Sequence, residues 1–205
     1  LYKLFVETNC MLVEINPLVV DSREQLMALD GKIDVDDNAL YKHPDILAFR
    51  DEITDNLFIL EARKFDFLYI PLEDRGDIAV ISNGSGMIMS SIDLISKRGM
   101  TVTCALDLGG GATAERVREA LKIVASNPNV KTIFINIFGG ITRCDEIAGG
   151  ISTAMKDLGS MALVVRLEGT NKEKGLSIIK NTTGNIEMAD GLSEGVDVLA
   201  RKVTI

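Results

Sequence analysis

The sequence has no tryptophan, one histidine and three cysteines in 205 residues, and aromatic side chains make up only 5% of it. Each shortage excludes something. The one histidine, His43, lies in an acidic loop before Pro44 and suits a structural or solvent-facing role. With no Gly-x-Ser-x-Gly pattern either, the chain holds no self-contained hydrolytic triad. Cys10, Cys104 and Cys144 are far apart and odd in number. They offer neither a disulfide framework nor metal-ligand spacing, and they point to a reducing compartment. Few aromatic rings and no indole leave little to stack against a flavin. No apolar run reaches the ~20 residues that a spanning helix needs. Positive charge is short as well: 22 Lys and Arg face 30 Asp and Glu, a net charge of −8. That excludes the broad basic surface that nucleic acid requires. Any phosphate chemistry must be local, through glycine-rich backbone, helix ends or a metal.

What is present is the balance of a packed domain. Apolar residues reach 46% and charged residues 25%, which excludes a disordered chain. The length fits one large domain or two small ones. Glycine numbers 18, many of them in pairs or triplets. The chain opens Leu-Tyr-Lys, with no initiator Met and no signal-peptide layout, so it is expected to begin inside a longer protein.

Residues 1–36 read as strands. From Met11 to Val19 apolar and polar positions alternate, and a second alternating run covers Leu26 to Ile33. The polar stretch 21–25 between them predicts an antiparallel hairpin centred on Arg23. In that register partner numbers sum to about 46. Asn16 then faces Asp30, Glu14 faces Lys32 and Val19 faces Met27. Residues 34–45 read as a loop leading to a helix from about Ile46. Residues 51–75 give no clear period beyond a short strand near Phe67 to Ile70, and 71–76 is a turn-rich linker.

From Asp77 the pattern is regular. Apolar runs at Ile78–Ser82, Thr101–Leu106, Thr132–Phe138, Ala162–Leu167 and, more weakly, Asn185–Glu187 alternate with helical segments. Those segments lie near 86–98, 113–126, 145–158, 171–181 and 191–202. Alternation of this kind predicts an α/β fold, a flavodoxin-like doubly wound parallel sheet of default order 2-1-3-4-5.

Glycines gather where these strands end: Asn83-Gly84-Ser85-Gly86, Asp107-Leu108-Gly109-Gly110-Gly111, Gly139-Gly140-Ile141-Thr142 and Glu168-Gly169-Thr170-Asn171. Each precedes a helix, where free N–H groups and the positive dipole end favour an anion. Tight βα turns would use glycine as well. No loop matches a P-loop or a complete dinucleotide fingerprint. Thr142 is placed to cap the third of these helices, with Asp145 and Glu146 in its first turn. Cys144, at the same helix entrance, could have a lowered pKa. In the hairpin, Glu14, Asn16, Asp30 and Lys32 share one face. An Asn carbonyl opposite an Asp carboxylate suits Mg²⁺, which takes few protein oxygens. The same spacing also fits a solvated polar sheet face.

Taken together, Val13-Glu14-Ile15-Asn16-Pro17-Leu18-Val19, Ala28-Leu29-Asp30-Gly31-Lys32, Asn83-Gly84-Ser85-Gly86, Asp107-Leu108-Gly109-Gly110-Gly111-Ala112-Thr113, Asn136-Ile137-Phe138-Gly139-Gly140-Ile141-Thr142-Arg143-Cys144-Asp145 and Val165-Arg166-Leu167-Glu168-Gly169 resemble the β subunits of succinyl-CoA synthetases. These are the ADP- or GDP-forming succinate–CoA ligases of the tricarboxylic acid cycle. The resemblance implies reversible ligation of succinate and CoA through a phosphohistidine on an α subunit. It implies that residues 1–70 end an ATP-grasp nucleotide-binding domain and that 77–205 form the flavodoxin-like CoA-ligase domain. Mg²⁺ and ATP or GTP are the implied cofactor and nucleotide. Succinate, CoA and the α subunit, which brings most of the CoA site, are the implied partners; nucleic acid and membrane are not.

By the same resemblance Asn16 and Asp30 are metal ligands, and Glu14 acts at the phosphohistidine. Asn83, Gly140, Ile141 and Thr142 contact substrate at the subunit interface. The helix opening near Thr142 points its N-terminus at the phosphohistidine. The family loop reads Gly-Gly-Ile-Val, so Thr142 is a departure. A cytoplasmic location, or the mitochondrial matrix in a eukaryote, is implied, and the fragment alone is expected to be inactive. Related readings are a malate–CoA ligase or ATP-citrate lyase chemistry. A non-catalytic flavodoxin-like binding module is the reading from a different class.

Overall fold

The structure is a computed structural model and describes residues 1–203. The chain divides into two compact units, Leu1–Asp55 and Asn56–Ile205. The division falls before the 71–76 linker because the segment after Asn56 is built into the second unit's sheet.

The first unit opens with a helix, α1 (Tyr2–Glu7), where the sequence reading expected strand. Six residues are too few for periodicity to separate the two. The Thr8 backbone N–H and hydroxyl both donate to Leu4 O, at 3.0 and 2.7 Å, and close the turn. Asn9, at φ 52°, reverses the chain. Strand β1 (Cys10–Glu14) then pairs with β4 (Lys32–Val35), and β2 (Leu18–Val20) pairs with β3 (Leu26–Ala28), both antiparallel.

The expected register holds: Glu14 faces Lys32 and Val19 faces Met27. One long hairpin was expected, but two short ladders form, and 15–17 and 29–31 interrupt them. Pro17 has no N–H to give to a ladder. Its carbonyl still accepts from Leu29 N at 3.2 Å. The turn is held by Asp21, whose Oδ1 accepts from Arg23 N at 2.7 Å and Gln25 N at 2.9 Å. A 3₁₀ turn at Asp37–Lys42 leads into α2 (Pro44–Glu52). The helix starts two residues before the expected Ile46 because proline suits the first helical position. His43 bonds through Nε2 to Asn9 Oδ1 at 2.9 Å, a structural role as expected.

The second unit begins with α3 (Leu57–Arg63), which the sequence did not reveal. Asn56 caps it, accepting from Phe58 N at 3.0 Å and Ile59 N at 3.2 Å. Strand β5 (Leu68–Pro71) follows. The regular part is β6 (Ile78–Ser82), α4 (Ser85–Lys97), β7 (Val102–Asp107), α5 (Ala114–Ala125), β8 (Thr132–Gly139), α6 (Cys144–Ala154), β9 (Ala162–Gly169), α7 (Lys172–Lys180), β10 (Ile186–Met188) and α8 (Leu192–Val203).

These strands form a six-stranded sheet in the order β10-β9-β8-β6-β7-β5. Its five parallel strands take the expected 2-1-3-4-5 order. Strand β5 adds an antiparallel edge against β7.

The strands are apolar on both faces because helices cover both. Ile81, Ile133, Ile135 and Val165 pack with α5, α6 and α3 on one face. Val80, Phe134 and Val164 pack with α4 and α8 on the other. Phe134 is fully buried, which contributes about 1.5–3 kcal/mol. Gly195 of α8 makes room for it: a Cβ there would stand 2.8 Å from its ring.

Candidate functional site

Strands β6 and β8 are neighbours, but the chain leaves β6 towards β7 on one side and β8 towards β9 on the other. In such sheets this reversal marks the usual ligand position, beyond the carboxyl ends of the strands. The glycine-rich loops after β6, β7, β8 and β9 all lie along this edge. At the switch point the Asn83 amide spans the gap. Its Oδ1 accepts from Phe138 N at 3.2 Å and its Nδ2 donates to Phe138 O at 3.0 Å.

Three of the helices that enter here, α4, α6 and α7, have no side-chain cap. Helix α4 has Gly84 as N-cap and no acidic residue in its first turn. Helix α6 has Arg143 as N-cap, also without a side-chain cap bond. By contrast α5 is capped by Thr113, which accepts from Arg116 N at 3.4 Å. The α4 entrance therefore leaves N–H groups and a positive dipole end for an anion, whereas α6 carries Asp145 and Glu146 in its first turn and its Cys144 N–H donates to Thr170 O at 2.9 Å. Phe138, 55% exposed, and Ile141, 90% exposed, give the edge an apolar rim.

The glycines here are of two kinds. Gly169, at φ +108°, lies so close to β8 that a Cβ would overlap Gly139 O. That glycine serves packing. Gly86, Gly110 and Gly140 have open space where a Cβ would stand and no positive φ. The fold does not demand glycine at these three, so their backbone is open to close approach.

Thr142 does not cap α6, contrary to the sequence expectation. It is buried, and its hydroxyl accepts from Gly111 N at 3.0 Å, tying the loop after β8 to the loop after β7. Cys144 is not activated either. Its thiol is buried and donates to Glu168 O at 3.4 Å. Burial first, then the nearby Glu168 and Asp145 carboxylates, push its pKa up rather than down.

Asp145 has more to do than the first-turn position suggested. Its side chain is only 5% exposed and pairs with Arg143 at 2.8 Å and Lys174 at 2.9 Å. Asn171 Nδ2 adds a bond at 3.1 Å. These three donors hold its carboxyl well below the usual carboxylate range.

A buried polar line runs under the same edge and was missed in the sequence. Ser82 donates to Asn136 O at 2.6 Å, Asn136 Nδ2 donates to Ser91 Oγ at 3.0 Å, and Arg166 Nη1 donates to Asn136 Oδ1 at 3.1 Å. A signal existed: Asn136 and Arg166 interrupt otherwise apolar strands.

In the first unit, the hairpin cluster is exposed. Glu14 and Lys32 are ladder partners. Asn16 Nδ2 donates to Glu14 Oε1 at 3.2 Å, which leaves its carbonyl oxygen for another partner. Asp30 Oδ1 accepts from Gly31 N at 2.8 Å. Glu14 and Asp30 line an open cavity of about 370 Å³. Asn16 and Asp30 sit at matching positions of the ladder interruption, outside both ladders. As hard oxygen donors they suit Mg²⁺, with water and phosphate filling its other positions. Among the described residues no group of three or more His, Cys, Asp or Glu could hold a metal.

A sequence model of the CoA-ligase family matches residues 81–195. The chain belongs to the CoA-ligase family. That match runs from the end of β6 into α8 and contains all four strand-end loops. Among known proteins, the succinate–CoA ligase [ADP-forming] subunit beta of Geobacillus kaustophilus is 48% identical over 99% of this chain and 52% of its own length. The protein of the same name from Cereibacter sphaeroides is 48% identical over 99% of this chain and 51% of its length. The chain spans about half the length of the curated relatives it matches. Among solved structures, ATP citrate lyase from Methanothrix soehngenii, in complex with citrate and coenzyme A, superposes with a TM-score of 0.77 at 18% identity. That likeness covers 98% of this chain and 57% of the other, and it supports the CoA-ligase fold. No helix among the described residues is long and apolar enough to cross a membrane.

Proposed function

We propose that this chain works as part of the β subunit of a succinate–CoA ligase, which joins succinate and CoA reversibly at the expense of ATP or GTP. The observation that carries the reading is the uncapped entrance of α4, with no acid in its first turn, set along an edge of glycines that the fold itself does not require. Such an edge stabilises a multiply charged phosphoryl group without a cluster of basic side chains. An acidic chain can then act on an anionic substrate. The 48% identity to named β subunits supports the choice within the family.

On this reading the CoA-ligase domain, expected over 77–205, starts with the second unit at Asn56, and Leu1–Asp55, rather than 1–70, is the end of an ATP-grasp nucleotide-binding domain. Asn83, Gly140 and Ile141 border the acid and CoA, while Thr142, expected to join them, is buried behind them and bonds Gly111 N. Glu14 meets the phosphohistidine at the nucleotide site. Asn16 and Asp30 would hold Mg²⁺, which when bound offsets charge on the nucleotide phosphates. The histidine that carries the phosphoryl group comes from an α subunit. His43, the one histidine of this chain, hydrogen-bonds Asn9 Oδ1 at 2.9 Å.

The test uses the complete subunit containing this chain, assembled with its α partner. Thioester formation is followed with succinate, malate and citrate in turn, each with ATP and GTP. Succinate is expected to be the best acid. Preference for malate would replace the acid assignment, and citrate cleavage would move the chain to ATP-citrate lyase chemistry. No acid-dependent thioester from any of them would overturn the reading.

A further inference from the structure

A line of hydrogen bonds links the strand-end loops across the sheet edge. The Ser85 hydroxyl donates to Asp107 Oδ2 at 2.8 Å, and Asp107 Oδ1 accepts from Gly109 N at 2.9 Å. Gly111 N then donates to Thr142 Oγ1 at 3.0 Å, and Thr170 Oγ1 donates to Gly140 O at 3.0 Å. The weakest stretch in this line is Gly109-Gly110-Gly111. It carries no side chain, and no Cβ placed there would have a neighbour within 4 Å. Gly109 and Gly111 sit at φ +69° and +68°. Such a segment has more backbone freedom to lose than any other of its length. Two side-chain oxygens restrain it, one on each side of Gly110. The Asp107 contact is local. The Thr142 contact comes from 31 residues away, on a residue that is 2% exposed.

We propose that Thr142 is a positioning residue. Its hydroxyl oxygen holds the triple-glycine loop to the α6 entrance, so that the backbone at Gly110 forms a fixed wall of the substrate site. The part concerning substrate rests on the ligase reading above. Valine has the same shape as threonine and no oxygen, so Thr142→Val removes the tie and leaves the Gly111 N–H without it.

The complete subunit assembled with its α partner is compared as wild type, Thr142→Val and Thr142→Ser. Amide hydrogen exchange is read by mass spectrometry on peptides spanning 107–113, with no substrate present. Thr142→Val is expected to speed exchange there about fivefold, the effect of one ordinary hydrogen bond, and Thr142→Ser to restore slow exchange. In turnover, Thr142→Val is expected to raise the KM for succinate or CoA about three- to tenfold while kcat changes less than about twofold, and Thr142→Ser to recover it. Unchanged exchange in Thr142→Val overturns the positioning role. Faster exchange with unaltered KM in an active complex overturns the claim that substrate meets this loop. A wild-type complex without ligase activity would count against the proposed function alone, because exchange still decides the role of Thr142.

Discussion

Asn83 and Phe138 are joined by a two-point bond: the side-chain amide of one both accepts from and donates to the backbone of the other, at 3.2 and 3.0 Å. It closes the ends of β6 and β8 where the sheet changes direction. Asn83→Ala removes both bonds and is expected to cost about 1–2 kcal/mol. Urea unfolding of the purified protein should show this as a lower midpoint with an unchanged slope. Full stability in Asn83→Ala would mean that the pair does not hold the strand ends.

Gly140 and Gly169 separate ligand approach from packing. Gly140→Ala places its methyl in open space and should change stability by no more than about 0.5 kcal/mol, while ligase activity of the assembled enzyme falls. Gly169→Ala meets both a positive φ and the Gly139 carbonyl and should cost about 3 kcal/mol or more. Thermal melts and activity assays of the two variants, side by side, check the contrast. Equal activity losses with equal melting temperatures would remove it.

Asp145 makes stability depend on acid pH in a defined direction. Its folded pKa lies below the unfolded value of 3.8, so the ion pairs with Arg143 and Lys174 contribute fully above pH 3.8. The contribution fades only as pH falls further, towards the depressed folded value. Asp145→Asn should therefore melt lower than wild type at pH 6, with the gap narrowing below pH 3.8. Melting curves across that range provide the check, and a gap that is constant with pH would sink the assignment.

The cysteines are expected to be slow to react. All three are buried. Burial pushes the Cys104 thiol up to about 11, and it raises Cys144 too. Ellman titration at pH 7.5 should find little fast-reacting thiol in the native protein and all three cysteines after unfolding. A fast-reacting Cys144 would restore a chemical role to that position.

Asp30→Ala, in the complete subunit with its α partner, is expected to lower Mg²⁺-dependent phosphorylation of the α subunit about tenfold or more. Phosphorylation is measured by mass shift over a Mg²⁺ titration. An unchanged Mg²⁺ response would remove Asp30 as a ligand.

Periodicity reached far into this fold. The apolar runs that became β6 to β10 are buried on both faces, so they stand out against amphipathic helices. The hairpin register was legible because a shift by one residue would turn every side chain to the wrong face. Short elements were not legible. Tyr2–Glu7 and Leu57–Arg63 are too brief for a helical period to rise above local noise, and each is closed by contacts of a single residue, Thr8 or Asn56. The site was half readable. Glycine placement after strands marked the edge, but glycine's two uses look the same in sequence. Only the space around each one shows that Gly169 serves packing and that Gly140 does not.

The sequence by itself determined the alternation of strands and helices and the gathering of glycines at the strand ends, because these follow from side-chain chemistry and spacing along the chain. Tertiary structure alone decided what each polar side chain at that edge does. Thr142 stands where a helix cap would, yet bonds across to Gly111. Cys144 stands at a helix entrance, yet its thiol is held neutral by burial. Asp145 reads as a first-turn acid, yet binds Arg143 and Lys174 together. The reason is physical: a cap, a pKa and an ion pair depend on which groups from distant parts of the chain come within about 3 Å, and spacing along one segment carries no record of that.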